Sequence, residues 1–212
     1  MKQFDLHDFL EVFIITNGRS TFEYTLKAIQ AQRNVKFGYT VIKDILWVDA
    51  NNKILQDCKS KFFLRVDDDM ILHPEALGYM YQKMLTAIEK IEPIYFIWKL
   101  WDTLQNKQKN GVKAYDWSKT KSIGFRTDYE YEKQRYGFIR GKIDKVFKID
   151  AEKLFKNKKR QHFAKYPCVV GIHAFASLEE QLKYRKLIIS HERSPEENGQ
   201  QAEQIVSSAR LF

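Results

Sequence analysis

Apolar residues fall in short unbroken runs through the first half of the chain, and stretches with helical spacing separate them. Leu10-Glu11-Val12-Phe13-Ile14-Ile15-Thr16 reads as a strand buried on both faces. Asn17-Gly18-Arg19 is a turn. Ser20-Thr21-Phe22-Glu23 has the form of a capping box, in which the Ser20 hydroxyl and the Glu23 carboxylate each satisfy a free amide. Phe22, Leu26 and Ile29 then recur at helical spacing, completing a strand–turn–helix unit. The pattern predicts a second strand over 39–42, a short helix near 53–58, a third strand over 61–66 and a long amphipathic helix over 74–91. Pro74 takes the first helical position, where its missing N–H costs nothing. Ile94-Tyr95-Phe96-Ile97-Trp98 reads as a further strand. Strands alternating with helices predict an α/β fold with a mostly parallel sheet flanked by helices.

The pattern loosens after residue 100. Residues 106–110 read as a polar loop, and 112–149 mix aromatic residues with charges. Asp150 suits the cap of a helix running to Lys159. Ser177-Leu178-Glu179-Glu180 has the form of a second capping box, opening a helix to His191. From Ser194 the chain is a polar tail. No internal repeat is present. One domain over 1–193 is expected, in two parts over about 8–100 and about 101–193.

The third predicted strand carries the most informative residues. Lys61-Phe62-Phe63-Leu64-Arg65-Val66 ends in three consecutive aspartates, Asp67, Asp68 and Asp69. Adjacent carboxylates repel unless something positive joins them. If the backbone stays extended, Asp67 and Asp69 point to the same side. Two hard oxygen ligands on one side suit Mg²⁺ or Mn²⁺, with substrate phosphates completing the shell. The competing reading is an acidic turn that caps the next helix, which needs only one carboxylate. The strand-to-helix edge is also where open α/β sheets bind ligands. Thr16-Asn17-Gly18-Arg19 occupies the matching edge after the first strand, where the following helix presents its amino end to an anion.

Charge sharpens this picture. The net charge is +9, with 36 Lys and Arg against 27 Asp and Glu. Residues 1–105 hold 13 basic and 14 acidic residues, whereas 106–212 hold 23 and 13. The densest stretch, Arg140 to Lys165, holds ten basic and three acidic residues. It reads either as a solvated helix face or as a surface for phosphates, an anionic membrane leaflet or nucleic acid. Cys58 and Cys168 lie far apart, form no CxxC pair and suit a reducing compartment. No apolar run reaches the ~18 residues that a membrane span needs. The first residues lack the apolar core of a signal peptide, so a cytoplasmic address is expected.

Two further candidates carry two readings each. His173 sits in the apolar run Cys168-Val169-Val170-Gly171-Ile172-His173-Ala174-Phe175. It is either a satisfied core histidine or an imidazole ligand beside a carboxylate-bound metal. Asp128, in Thr127-Asp128-Tyr129-Glu130-Tyr131-Glu132, is either an acid at the positive end of a helix or a general base.

These residues together resemble the family 2 glycosyltransferases with the GT-A fold. The resemblance rests on the opening strand with Thr16-Asn17-Gly18-Arg19 and its helix through Gln32. It rests equally on Phe63-Leu64-Arg65-Val66-Asp67-Asp68-Asp69-Met70-Ile71-Leu72-His73-Pro74-Glu75-Ala76-Leu77, which looks like the family's DXD motif with its downstream proline and helix. It covers about residues 10–100. It implies a GT-A type, Rossmann-like sheet, here with a basic C-terminal helical part. By the same resemblance Thr16, Asn17, Arg19 and Asp68 would line the nucleotide. Asp67 would face the ribose or the metal, Asp69 would hold the metal on the diphosphate, and His173 would complete its shell. Asp128 loosely matches the aspartate that acts as base in inverting members. Lys43-Asp44 or Val48-Asp49-Ala50-Asn51-Asn52 stands where the family has an acidic turn.

The expectation is a glycosyltransferase dependent on Mn²⁺ or Mg²⁺. It would move a sugar from a nucleotide-sugar donor, UDP-linked by preference, to a glycan or lipid-linked acceptor in surface polysaccharide or lipopolysaccharide synthesis. The basic 140–165 stretch would meet an anionic membrane, placing the protein peripherally at the inner face. A nucleotidyltransferase would use the same aspartates but release pyrophosphate. A basic nucleic-acid-binding module would bind independently of metal with a steep salt dependence.

Overall fold

The computed structural model describes residues 3–103, 105–126, 143–154 and 163–173. A two-stranded sheet pairs β1 (Phe4–Asp5) with β3 (Val35–Lys36). The main sheet has seven strands: β2 (Leu10–Thr16), β4 (Tyr39–Lys43), β5 (Phe62–Asp67), β6 (Met70–Leu72), β7 (Tyr95–Asp102), β8 (Lys107–Asp116) and β9 (Phe163–His173). Their spatial order is β4-β2-β5-β8-β7-β9-β6. β4, β2, β5, β7 and β9 point one way, and β8 and β6 run against them. Helices α1 (Phe22–Gln30), α2 (Trp47–Asp57), α3 (Ala76–Ile88), α4 (Trp117–Ile123) and α5 (Ile143–Leu154) complete the described elements.

Alternation along the strands builds a core on each face. In β5, Phe62, Leu64 and Val66 join Leu10, Val12 and Ile14 in a cluster with Phe22 and Ile29 of α1 and Leu77, Met80 and Met84 of α3. Phe63 faces the other way, with Phe13, Ile15, Ile54, Tyr115 and Phe147. Both faces are covered, so the strands read as continuous apolar runs.

The sheet has to curl. Asp67 ends β5 and Met70 begins β6, yet β8, β7 and β9 lie between those strands. Four flat strand spacings would total about 19 Å, and three residues reach at most about 11 Å. The connection closes only because the sheet bends, which carries the end of β9 to the end of β5.

Several boundaries depart from the sequence pattern. Residues 107–110 are strand, not loop: β8 pairs antiparallel with β7, and Asn106 turns the hairpin at φ 47°. The first half of β8 is exposed and polar, so it lacks apolar alternation. α2 starts at Trp47, well before residue 53. α1 starts at Phe22 with Thr21 in the cap position, one residue later than the Ser20 box predicts. α3 starts at Ala76, so Pro74 precedes the helix and its carbonyl accepts from Arg33 N. The helix expected from Asp150 begins at Ile143 instead, and Asp150 lies inside it, paired with Arg126 at 2.8 Å. The predicted Ser177 helix and the tail from Ser194 lie outside the described residues, as do 140–142 and 155–162 of the basic stretch. No helix among the described residues is long and apolar enough to cross a membrane.

Candidate functional site

Five strands end at one sheet edge, at Thr16, Lys43, Asp67, Asp102 and His173. Parallel pairing sets this directly: Ile15 pairs with Asp67, Thr16 with Lys43, and Asp102 with His173. The expected nucleotide and metal residues therefore gather where the ladders stop.

The three aspartates separate. β5 ends at Asp67, and Asp68 and Asp69 form a turn. The extended alternation that would align Asp67 with Asp69 is thus broken. Asp67 stays on the α2 face, where its Oδ1 lies 3.7 Å from Arg65 Nε. Arg65 itself is buried, donates to Asn51 Oδ1 at 3.0 Å and stacks on Trp47. Asp68 is buried and turns towards the loop after β2. Its Oδ2 accepts from Thr16 Oγ1 at 2.7 Å and from Asn17 N at 3.2 Å, and its carbonyl accepts from Thr25 Oγ1 at 3.0 Å. Thr16 Oγ1 in turn accepts from Gly18 N at 2.9 Å, and Gly18 adopts φ 79°, open to glycine without strain. The carboxylate of Asp68 thus shapes the Thr16–Arg19 loop.

Asp69 leaves the turn towards the far strands. Its Oδ2 accepts from Arg19 Nη1 at 2.5 Å. Arg19 Nε also lies 3.5 Å from Asp68 Oδ1. Two like charges 4 Å apart repel by about 4 kcal/mol at an effective dielectric near 20, and this guanidinium offsets that repulsion. Asp69 Oδ1 is buried with no hydrogen-bond partner among the described residues. It faces His173 Nε2 across 3.9 Å. That gap is too long for a hydrogen bond. It suits two ligands of one ion, since atoms each about 2.1 Å from a common cation lie roughly 3 to 4 Å apart.

His173 reaches this place through the sheet. It pairs with Asp102 on β7 and with Met70 on β6, the residue after Asp69. Its Nδ1 lies 3.2 Å from Asp102 Oδ2. Asp102 is only 1% exposed. It also takes Lys109 Nζ at 2.5 Å and the Gln105 amide at 2.8 Å. Burial pushes its acidity constant up, but hydrogen bonds from His173, Lys109 and Gln105 outweigh that and hold the carboxyl well below its usual range. Sequence reasoning missed Asp102, because it ends an apolar strand with no motif around it. Only the β7–β9 register joins it to His173.

The remaining candidates divide. Asp44 is exposed directly after β4, in the left-handed region at φ 57°, and its amide donates to Thr16 O at 3.3 Å. Asp44 follows β4 directly, and residues 48–52 lie in the first turns of α2. Asn17 is exposed in the loop after β2. Asp128 lies outside the described residues. Among the described residues no group of three or more His, Cys, Asp or Glu forms a ready metal cage. Asp69 and His173 are brought together, and Asp67 is held apart from them by its strand face.

No protein-family model matches the sequence, and no curated protein matches it either. Solved structures do. S. aureus TarS 1-349 superposes with a TM-score of 0.53 at 13% identity, over 96% of this chain and 72% of that one. The same fragment in complex with UDP gives 0.51 at 12% identity, over 96% and 72%. Glucosyl-3-phosphoglycerate synthase from Mycobacterium tuberculosis, in complex with Mn²⁺, UDP and phosphoglyceric acid, gives 0.51 at 14% identity, over 85% and 76%. The fold is the GT-A fold.

Proposed function

We propose that this chain is a divalent-metal-dependent glycosyltransferase that takes a sugar from a nucleotide-sugar donor. The observation that carries the reading is the buried, unpartnered Asp69 Oδ1 facing His173 Nε2 across 3.9 Å at the ligand-binding edge of a GT-A sheet. Asp69 and His173 would hold Mn²⁺ or Mg²⁺, with donor phosphate oxygens supplying further ligands. A bound ion would supply positive charge to offset that of the nucleoside diphosphate leaving group.

The chain's own residues do the rest. Arg19 stands beside Asp69 with its guanidinium partly exposed, placed to meet a diphosphate oxygen. Asp68 and Thr16 hold the 17–19 loop in shape for the donor. Asp67, on the α2 side of the edge, and Asp44, directly after β4, would meet the nucleoside. UDP is the favoured nucleotide, because two of the superposable structures hold it. By sequence resemblance Asp128 serves as the base for an acceptor hydroxyl. The acceptor is a glycan or lipid-linked sugar of surface polysaccharide or lipopolysaccharide synthesis. It is bound by the half after residue 101, with the basic 140–165 stretch against an anionic inner membrane face.

The test is thermal stabilisation and donor hydrolysis across UDP-, GDP- and CMP-linked sugars, with Mn²⁺ and with EDTA. One donor should stabilise the protein only with Mn²⁺, and Asp69→Ala should abolish turnover while remaining folded. Full metal-dependent activity in Asp69→Ala would refute the assignment. Pyrophosphate release from a nucleoside triphosphate would move the protein to the nucleotidyltransferases.

A further inference from the structure

We infer that Asp102 is a positioning residue for His173: it holds the imidazole in the tautomer whose Nε2 lone pair points at Asp69. The inference deepens the reading of Asp69 and His173 as a metal-holding pair and rests on it.

The sheet supplies the geometry. Asp102 and His173 are register partners at the ends of β7 and β9, so their side chains leave the same edge together. The backbone is pinned as well, since Thr103 N donates to His173 O at 3.2 Å. Nδ1 of His173 lies 3.2 Å from Asp102 Oδ2, while Nε2 faces Asp69 Oδ1. A carboxylate only accepts hydrogen bonds, so Nδ1 must carry the proton there. In the neutral ring Nε2 is then bare. Metal-bound histidines commonly use this arrangement, with a carboxylate behind the ring fixing its orientation and tautomer. Asp102 is itself fixed, because Lys109 Nζ and the Gln105 amide bind its two oxygens and it is 1% exposed. A buried acid with three donors converging on it has no room to swing away.

Asp102→Asn keeps the shape and changes the chemistry. An amide offers one acceptor oxygen, whereas Gln105 N binds Oδ1 and both Lys109 Nζ and His173 Nδ1 meet Oδ2. The full negative charge that holds the proton on Nδ1 is lost in either amide orientation, and with the nitrogen towards His173 a donor faces Nδ1, drives the ring proton to Nε2 and blocks the lone pair.

The experiment is ¹⁵N–¹H long-range NMR of the histidine rings in the metal-free protein, with the His173 signals assigned from His173→Gln. Mn²⁺ binding is followed alongside by EPR of the free ion. Wild type should show His173 protonated at Nδ1. Asp102→Asn should shift it to the Nε2–H form and weaken Mn²⁺ binding about 10- to 100-fold, and Asp102→Glu should restore part of both. Wild-type His173 protonated at Nε2 would overturn the inference with no variant needed, even if Asp102→Asn fails to fold. An unchanged tautomer and affinity in a folded Asp102→Asn would also overturn it. Unchanged Mn²⁺ affinity in His173→Gln would instead remove the metal reading beneath it, so the two failures are distinguishable.

Discussion

Burial divides the two thiols of this chain. Cys58 is buried, and desolvation pushes its thiol up to about 12. Cys168 is only half-buried on β9. A thiolate is the reactive form, so iodoacetamide at pH 8 should modify Cys168 in the native protein and reach Cys58 only after denaturant is added. Peptide mapping after timed quenching reads the order, and equal rates at both positions would contradict the burial of Cys58. The aspartates show the same dependence on surroundings. Three identical side chains in a row take three partners, Arg65, Thr16 and Arg19, because a turn rotates each into a different environment. The triplet was legible in sequence as a candidate site. The division of labour was not, because it depends on where β5 stops.

At the scale of elements, the short strand β6 decides whether the site forms. It pairs with β9 over Met70, Ile71 and Leu72 only, and it begins one residue after Asp69. Gly171, opposite Leu72, lets the two backbones approach. A Cβ there would strike Ile71 O and stand 2.9 Å from Leu72 Cα. Backbone atoms cannot give way as a flexible side chain can. Gly171→Ala should therefore lift β6 from β9, cost roughly 1–3 kcal/mol and weaken Mn²⁺ binding. Gly38→Ala, with nothing within 4 Å of the new Cβ, serves as the silent control. Chemical denaturation and Mn²⁺ titration of both variants check this. The strands buried on both faces and α1 were readable from periodicity, apart from their ends. β8 was not, since its exposed polar half follows only its neighbour β7. The helix α4 carried a signal that pattern reading overlooked: Asp116 caps it, accepting from Lys119 N at 3.0 Å.

For the whole molecule, Asp102 ties together chain segments far apart in sequence. It links β7 to Lys109 of β8 and His173 of β9. Its folded-state acidity constant lies below the ordinary 3.8. A carboxyl depressed by folding stabilises the native state at pH above its unfolded value, and that contribution is lost as pH falls through the folded one. The stability advantage of wild type over Asp102→Asn should thus be full above about pH 5 and shrink below about pH 4. Thermal melts from pH 3 to 7 measure it, and a gap that does not shrink on acidification would show that the ion pairs do not supply it.

The sequence by itself determined the local units: the buried strands, the turn at Gly18, the run of carboxylates and the GT-A resemblance they carry. These follow from period, turn chemistry and charge repulsion, which act between residues close in the chain. Only the tertiary structure decided which groups meet. The two-residue turn between β5 and β6 forces the sheet to curl, and that curl carries His173 to Asp69, while the β7–β9 register sets Asp102 beside His173. Contacts between residues 71 or more positions apart leave no periodic trace in either segment. They arise from strand order and register, which the packing of the entire sheet selects.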